Sequence, residues 1–251
     1  MSDERKIMGR ISSFQSLGTV DGPGVRSVVF MQGCPLRCVC CHNPETWDFD
    51  GGYETDTDSL VEKILRFKPY FGSRGGVTVS GGEPLMQAEF VNDLFVKLKK
   101  QGISTALDTS GCFFNGSVEE LLRNTDIVLL DYKYTNSEDY LKYTKCRKET
   151  VDTFLDRLES AGTETVIRHV VIHGLNDFDD SLKSLAELAR RYSCVKEVEL
   201  LPFRKLCIEK YHELQIPFPL RDTLQTEQSF IDAIYEKYED LRPQNKKADR
   251  V

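Results

Sequence analysis

Residues 77–111 read VTVSGGEPLMQAEFVNDLFVKLKKQGISTALDTSG. The segment opens on an apolar, β-branched run, VTVSGG (77–82), and closes on a second, STALDTSG (104–111). Between them, QAEFVNDLFVKLKK sets Phe90, Leu94 and Leu98 on one face at helical spacing. Strand, amphipathic helix, strand predicts a βαβ unit, in which a helical crossover joins two parallel strands.

The same alternation continues in both directions. Further strands are predicted at VRSVVFMQG (25–33), IVLLDYK (127–133), TVIRHVVIHG (165–174) and VKEVELLPF (195–203). Most do not alternate apolar with polar, as expected of strands buried on both faces. Amphipathic helices are predicted at DTDSLVEKILRF, SLKSLAELARRY and TEQSFIDAIYEKYEDL, the first with Asp and Thr at capping positions. Six such units define an α/β fold. Periodicity leaves two arrangements open, a doubly wound open sheet and an incomplete barrel. In either, chemistry belongs at the carboxyl ends of the strands. Those ends deliver Cys34, Gly81-Gly82-Glu83, Asp108-Thr109, Asp131 with Lys133, and Arg204, and the fifth strand carries Arg168.

Composition narrows the function. The 251 residues are 40% hydrophobic and include 17 glycines, an ordinary globular balance. No apolar run approaches the roughly 18 residues of a membrane span. The first ten residues, MSDERKIMGR, carry charge but no apolar signal core, so cytoplasmic placement is expected. A net charge of −7 argues against nonspecific nucleic-acid binding, which needs a positive field. Nothing points to a membrane partner, and a monomer is expected.

Four of the eight cysteines crowd into GCPLRCVCCHN, residues 33–43. Cys34, Cys38 and Cys41 stand in C-x3-C-x2-C spacing, with Cys40 as an extra neighbour. Three thiolates on a short loop suit three irons of a cubane, leaving the fourth iron open for chemistry. A zinc site completed by His42 or Cys40 is the alternative local reading. Zinc sites usually draw on two separated ligand pairs, and no second pair follows.

GCPLRCVCCHN resembles the cluster motif of radical S-adenosylmethionine (SAM) enzymes. GTVDGPGVRSVVFMQGC (18–34) resembles the signature of glycyl-radical-enzyme activating proteins, those of the pyruvate formate-lyase-activating type above all. The likeness runs on through HNPETWD, GGVTVSGGEPLMQAEF, LDTSG, LLDYK, VIRHVVIHGLND and VELLPF, from about residue 8 to 240. It implies a partial (β/α)6 barrel, a single radical SAM domain over residues 1–241 and a polar tail over 242–251.

The resemblance also implies residue roles. Cys34, Cys38 and Cys41 would hold a [4Fe-4S] cluster. Glu83 would receive the SAM ammonium beside Gly82, and Lys133 would neutralise the SAM carboxylate. Cys40, Cys41, His42, Tyr132, Arg168 and Arg204 would line SAM, with His42 acting through its backbone. Asp108, Thr109 and Asp131 would hold a monovalent cation. Asp21, in the DGPG turn, would meet the partner. That partner would be a glycyl radical enzyme, pyruvate formate-lyase first, with a flavodoxin or ferredoxin as electron donor.

Three positions depart from the family pattern. Cys40 replaces an aromatic near adenine, Arg204 replaces a histidine and His173 replaces a proline. Other readings are an activator of a different glycyl radical enzyme, a radical SAM enzyme with a small-molecule substrate, and a non-enzymatic zinc or iron-sulfur module.

Overall fold

The computed structural model describes residues 6–241; residues 1–5 and the expected tail at 242–251 lie outside the described residues. The chain divides into two compact units. The first comprises Met1–Pro35, Glu45–Thr109 and Phe113–Leu129; the second comprises Leu36–Pro44, Ser110–Cys112 and Leu130–Val251.

The first unit contains β1 (Met8–Gly18), β2 (Arg26–Met31), β3 (Tyr53–Asp56), β4 (Gly76–Gly81), β5 (Ser104–Thr109) and the start of β6 (Ile127–Asp131). Its strand order is β3-β1-β2-β4-β5-β6. The pairs β2–β4 and β4–β5 are parallel, as the βαβ reading requires. Val28, Val29, Val77, Val79, Ala106 and Leu107 are buried without exposed surface. Helices α1 (Thr57–Leu65), α2 (Ala88–Lys100) and α3 (Gly116–Arg123) bury Leu60, Leu94, Leu98 and Leu121. The expected cap of α1 is present, with the Asp56 side chain accepting from the Ser59 amide.

Two strands of this unit were not expected. β1 and β3 pair antiparallel, and β1 also runs antiparallel to β2. Register shifts between Ile11 and Ser13 and between Gln15 and Gly18 interrupt the alternation that would have marked β1. β3 is four residues long, with no buried position.

The second unit contains the end of β6, β7 (Glu164–Val171) and β8 (Val195–Pro202), in that order. Its helices are α4 (Ser137–Thr144), α5 (Lys148–Ala161), α6 (Asp179–Arg191), α7 (Ile208–Glu213) and α8 (Gln228–Lys237). β7 and β8 are parallel, with Arg168 opposite Glu199. These strands correct the expectation of burial on both faces. In β7, Thr165, Ile167, His169 and Val171 are buried while their neighbours are not. Arg168 therefore sits on the partly exposed face rather than in a closed core.

Several strands stop short of their expected ends. β6 ends at Asp131, so Tyr132 and Lys133 lie just past the ladder, and β5 ends at Thr109. The residues with the most chemistry stand where strand pairing gives way to loop.

Candidate active site

In the first unit the site residues are placed chiefly by backbone. β2 runs to Met31, and the Gly33 amide then bonds to the Thr46 carbonyl while the Cys34 amide points to Trp47 O. At the end of β4, the Gly82 amide bonds to Met31 O and the Glu83 amide to Gly33 O, both at 2.9 Å. A Cβ on Gly82 would lie 2.4 Å from that same Gly33 oxygen. Two chain segments meet here at backbone contact, and only glycine fits between them.

Glu83 is 1% exposed. Its Oε1 accepts from the Leu85 amide, capping a 3-10 turn, and from the Thr109 hydroxyl at the end of β5. Thr109 thus orients the carboxylate rather than standing apart from it. Asp108 accepts from Ser80 Oγ at 2.7 Å. Asp21 lies in the turn before β2, and its carbonyl accepts from Thr78 Oγ1.

In the second unit the site is built around the cysteine loop. Arg37 N and Val39 N donate to Thr144 O and Tyr143 O of α4, at 3.1 and 2.9 Å. Cys41 N closes a turn onto Cys38 O. Tyr211 of α7 donates its hydroxyl to Cys41 O, and Lys210 reaches Asn43. The His42 ring uses Nε2 to donate to Arg204 O at 2.9 Å; a carbonyl can only accept, so this nitrogen carries the proton. The ring, expected to be idle, ties the loop to the segment after β8. Burial lowers the His42 pKa, with the Lys133 charge adding to the effect against that hydrogen bond.

Lys133 Nζ sits 2.6 Å from Asp131 Oδ2. Burial alone would lower its pKa. The Asp131 carboxylate, with negative charge on the Cys38 and Cys40 sulfurs adding to it, outweighs burial and holds it well above the ordinary lysine value. Burial pushes the Cys40 thiol up, opposed by Lys133. A fixed ammonium beside the cysteine loop favours thiolate, the state in which sulfur binds metal.

Other residues are placed less centrally. The Tyr132 hydroxyl donates to Asp152 of α5 at 2.8 Å, so its side chain serves packing, while its backbone bonds Arg168 O and His169 Nδ1. Arg168 Nε pairs with Glu199 at 3.0 Å. Of the departures, His173 pairs with Asp177, and Arg204 is fixed through its carbonyl.

Sequence reading passed over a ring of tyrosines around the loop. Tyr134 and Tyr143 pack with centroids 5.2 Å apart, and Tyr140 OH bonds Asp131 O. The Tyr134 hydroxyl is buried with no hydrogen-bond partner among the described residues, and so is His169 Nε2. Burial raises the Tyr134 pKa, with Cys40 and Cys38 adding to it. The signal was the aromatic density of DYKYTN and DYLKYT (131–136, 139–144).

All eight cysteines are free thiols. Soft thiolates in C-x3-C-x2-C spacing, a cation beside Cys38 and Cys40 and a buried donor with no partner suit an iron-sulfur cluster. The chemistry of these donors suits the group, although among the described residues no three His, Cys, Asp or Glu side chains stand together as a metal site.

Comparison with known proteins agrees. The description "Radical SAM superfamily" matches residues 28–189. The pyruvate formate-lyase-activating enzyme of Clostridium pasteurianum is 48% identical over 86% of this chain and 91% of its own length. That of Staphylococcus aureus is 40% identical over 91% of this chain and 94% of its own. A domain of pyruvate-formate lyase-activating enzyme from Bacteroides vulgatus superposes with a TM-score of 0.55 at 26% identity, covering 66% of this chain and 94% of that one. A radical SAM methyltransferase from Sphaerobacter thermophilus shares the fold, with a TM-score of 0.61 at 16% identity over 87% of this chain and 64% of that one. The α/β class and the partial-barrel type follow, and the antiparallel β1 and β3 are additions to six βα units. This chain therefore belongs to the radical SAM superfamily and, within it, to the pyruvate formate-lyase-activating enzymes.

Proposed function

We propose that this chain activates pyruvate formate-lyase by installing a glycyl radical. Cys34, Cys38 and Cys41 hold a [4Fe-4S] cluster. When bound, the cluster supplies one electron that splits SAM into methionine and a 5′-deoxyadenosyl radical, which takes a hydrogen atom from the partner's glycine. The observation that carries the reading is Lys133, a half-buried ammonium paired with Asp131 at 2.6 Å and set beside Cys38 and Cys40.

The chain's own residues bind and orient. Lys133 offers its charge to the SAM carboxylate. Glu83, held by Leu85 N and Thr109, presents a fixed carboxylate to the SAM ammonium. Gly82 keeps backbone close at that point. Cys40 and Arg204 take the family's aromatic and histidine places, so adenine rests on backbone and on a guanidinium that can stack. Asp108, Thr109 and Asp131 are the proposed oxygen donors to a monovalent cation; in the structure they engage Ser80, Glu83 and Lys133. Asp21 meets the partner. We further propose a flavodoxin or ferredoxin donor and a cytoplasmic setting; no helix of the described residues is long and apolar enough to cross a membrane. Both units act as one radical SAM domain, since the matched span runs through each.

The test is anaerobic reconstitution with iron and sulfide, then electron paramagnetic resonance of the reduced protein with and without SAM. The expected result is a [4Fe-4S] signal that changes on adding SAM, followed by a glycyl-radical doublet in pyruvate formate-lyase. A cluster blind to SAM would overturn the reading. Cys38→Ala and Cys41→Ala are each expected to abolish SAM cleavage.

A further inference from the structure

Arg26 is the largest fully buried side chain among the described residues, at 0% exposure, and neither the cluster nor SAM accounts for it. It makes no ion pair with any described carboxylate. Four oxygens solvate it instead. Its Nε donates to Thr78 Oγ1 at 2.7 Å, Nη1 to Pro23 O at 3.2 Å, and Nη2 to Val77 O and Ser104 O at 2.8 and 3.2 Å. Burial lowers its pKa to about 10, opposed by Asp126, so it stays charged at neutral pH.

The geometry has a direction. Three acceptors, Val77 O, Thr78 Oγ1 and Ser104 O, belong to the rigid strands β4 and β5. The fourth, Pro23 O, belongs to the loop between β1 and β2. Thr78 Oγ1 accepts from Arg26 and donates its own proton to Asp21 O at 2.6 Å. Asp21 and Pro23 are thus both pinned by backbone carbonyl to one guanidinium, one of them through a hydroxyl relay. Between them Gly22 has φ +111°, and beyond them Gly24 has φ +74°. A Cβ on Gly24 would lie 2.5 Å from Gly75 N, so the loop lies against the entry to β4 at backbone contact. Val20, next to the pinned residues, is 70% exposed. The loop's backbone is fastened from inside while its apolar side chain faces solvent.

We propose that Arg26 and Thr78 form a latch that presents the Val20–Asp21 segment to the glycyl radical enzyme, making both of them positioning residues for partner docking. The inference rests on the activase reading. A charged latch suits the task because hydrogen bonds to an ion are stronger and more directional than neutral ones. A docking loop fixed in advance also loses less entropy when the partner binds.

The test uses the full chain with reconstituted cluster. Thr78→Val keeps the volume and removes the relay; Thr78→Ser keeps the hydroxyl. For Thr78→Val, KM for pyruvate formate-lyase should rise roughly tenfold, a factor set by the loss of one charge-assisted bond. Iron content and SAM cleavage without partner should stay unchanged, and Thr78→Ser should restore the wild-type KM. Hydrogen exchange should quicken at residues 18–25 in Thr78→Val and nowhere else. Arg26→Lys, which keeps charge but not the fork, should act like Thr78→Val. Unchanged KM and exchange in a folded Thr78→Val would overturn the latch. So would a parallel fall in iron content and partner-free SAM cleavage, which marks a structural role alone. If the wild-type chain activates no pyruvate formate-lyase, the activase reading fails and takes the docking role with it, while exchange at residues 18–25 still reports whether the loop is latched.

Discussion

The end of β4 in the first unit and the cysteine loop in the second are both tight turns carrying reactive residues, but they are held differently. At Gly82-Glu83 the fixing atoms are mostly backbone, joined by the bonds that the Glu83 carboxylate accepts from the Leu85 amide and the Thr109 hydroxyl. Around Cys38–His42 the backbone is anchored too, yet side chains surround it: Lys133, Tyr211, Lys210 and the His42 ring. Pronounced pKa shifts gather in the second region, where Lys133, Cys40 and Tyr134 perturb one another. One region sets shape and the other sets charge. Substitutions should break them in different ways.

The largest effect is expected where shape is set. Gly82→Ala drives a methyl group to within 2.4 Å of Gly33 O, the atom that also accepts the Glu83 amide. Backbone must move, at a cost of about 2 kcal/mol for overpacking. SAM affinity should fall by more than about tenfold because Glu83 loses its anchor. Urea midpoints and SAM titration measure the two separately. Wild-type SAM affinity in Gly82→Ala would show that the contact at β4 does not position Glu83.

Where charge is set, Lys133→Met is expected to leave shape intact and remove the ammonium. SAM affinity should fall about tenfold, roughly 1.4 kcal/mol, while iron content holds. Equal affinity would remove Lys133 from the SAM site. Loss of iron would mean that its charge is needed to keep Cys38 deprotonated.

How far these two regions could be read from sequence follows the same division. Backbone placement was legible. Strand, glycine and acid at 77–83 gave β4 and its end, because apolar runs and glycines report local conformation directly. The six parallel-type strands and helices α1, α2, α6 and α8 came from the same periodicity. Helices α3, α4, α5 and α7 were missed, the first two although Asn115 and Asn136 stand as side-chain caps on the amides of Val118 and Asp139, a readable signal in short segments. β1 was missed because its register shifts erase alternation. Side-chain partnership was far less legible. Arg168 drew notice as a charge within a strand and proved to face Glu199 on a half-exposed edge. Arg26 carried the same signal in VRSVVF, went unremarked, and is the one with no exposed surface. Sequence shows a charge inside an apolar run but not which face of the strand bears it when flanking strands differ in burial. The tyrosines around the cysteine loop come from α4, α7 and the residues after β6; their density shows in the sequence at 131–144, but their convergence on the loop does not.

Acid should separate the regions next. His169 is buried, donates from Nδ1 to Tyr132 O, and has its pKa lowered to about 4, burial being the main cause. An unfolded histidine takes up a proton near pH 6.5, whereas this one resists until about pH 4. The folded-state pKa lies below the unfolded value, so its stabilising contribution is whole above about pH 6.5. It is lost as pH falls through that window, by about 3 kcal/mol at the low end. Burial lowers His42 in the same direction. Urea midpoints from pH 7 to pH 4 should decline, and His169→Gln should flatten the decline. An equal slope in both proteins would show that His169 is not the group responsible.

The smallest effect is expected at Cys40, and it discriminates sharply. Cys40 neighbours Cys41 in the region where charge is set, and burial raises its pKa against the pull of Lys133. A thiol that resists deprotonation is a poor competitor for iron. The proposed ligands are Cys34, Cys38 and Cys41, and Cys40 holds the place where the resemblance implies an aromatic. Cys40→Ala should therefore keep full iron content and an unchanged reduced-cluster signal, with SAM affinity within about threefold of wild type, or 0.7 kcal/mol. Cys40→Tyr should leave the cluster equally intact and tighten SAM binding, since a ring face would return to the adenine. Loss of iron in Cys40→Ala would place this thiol among the ligands and undo the three-cysteine assignment. Iron retained with weaker SAM binding in Cys40→Tyr would instead show that the pocket has closed around the smaller side chain.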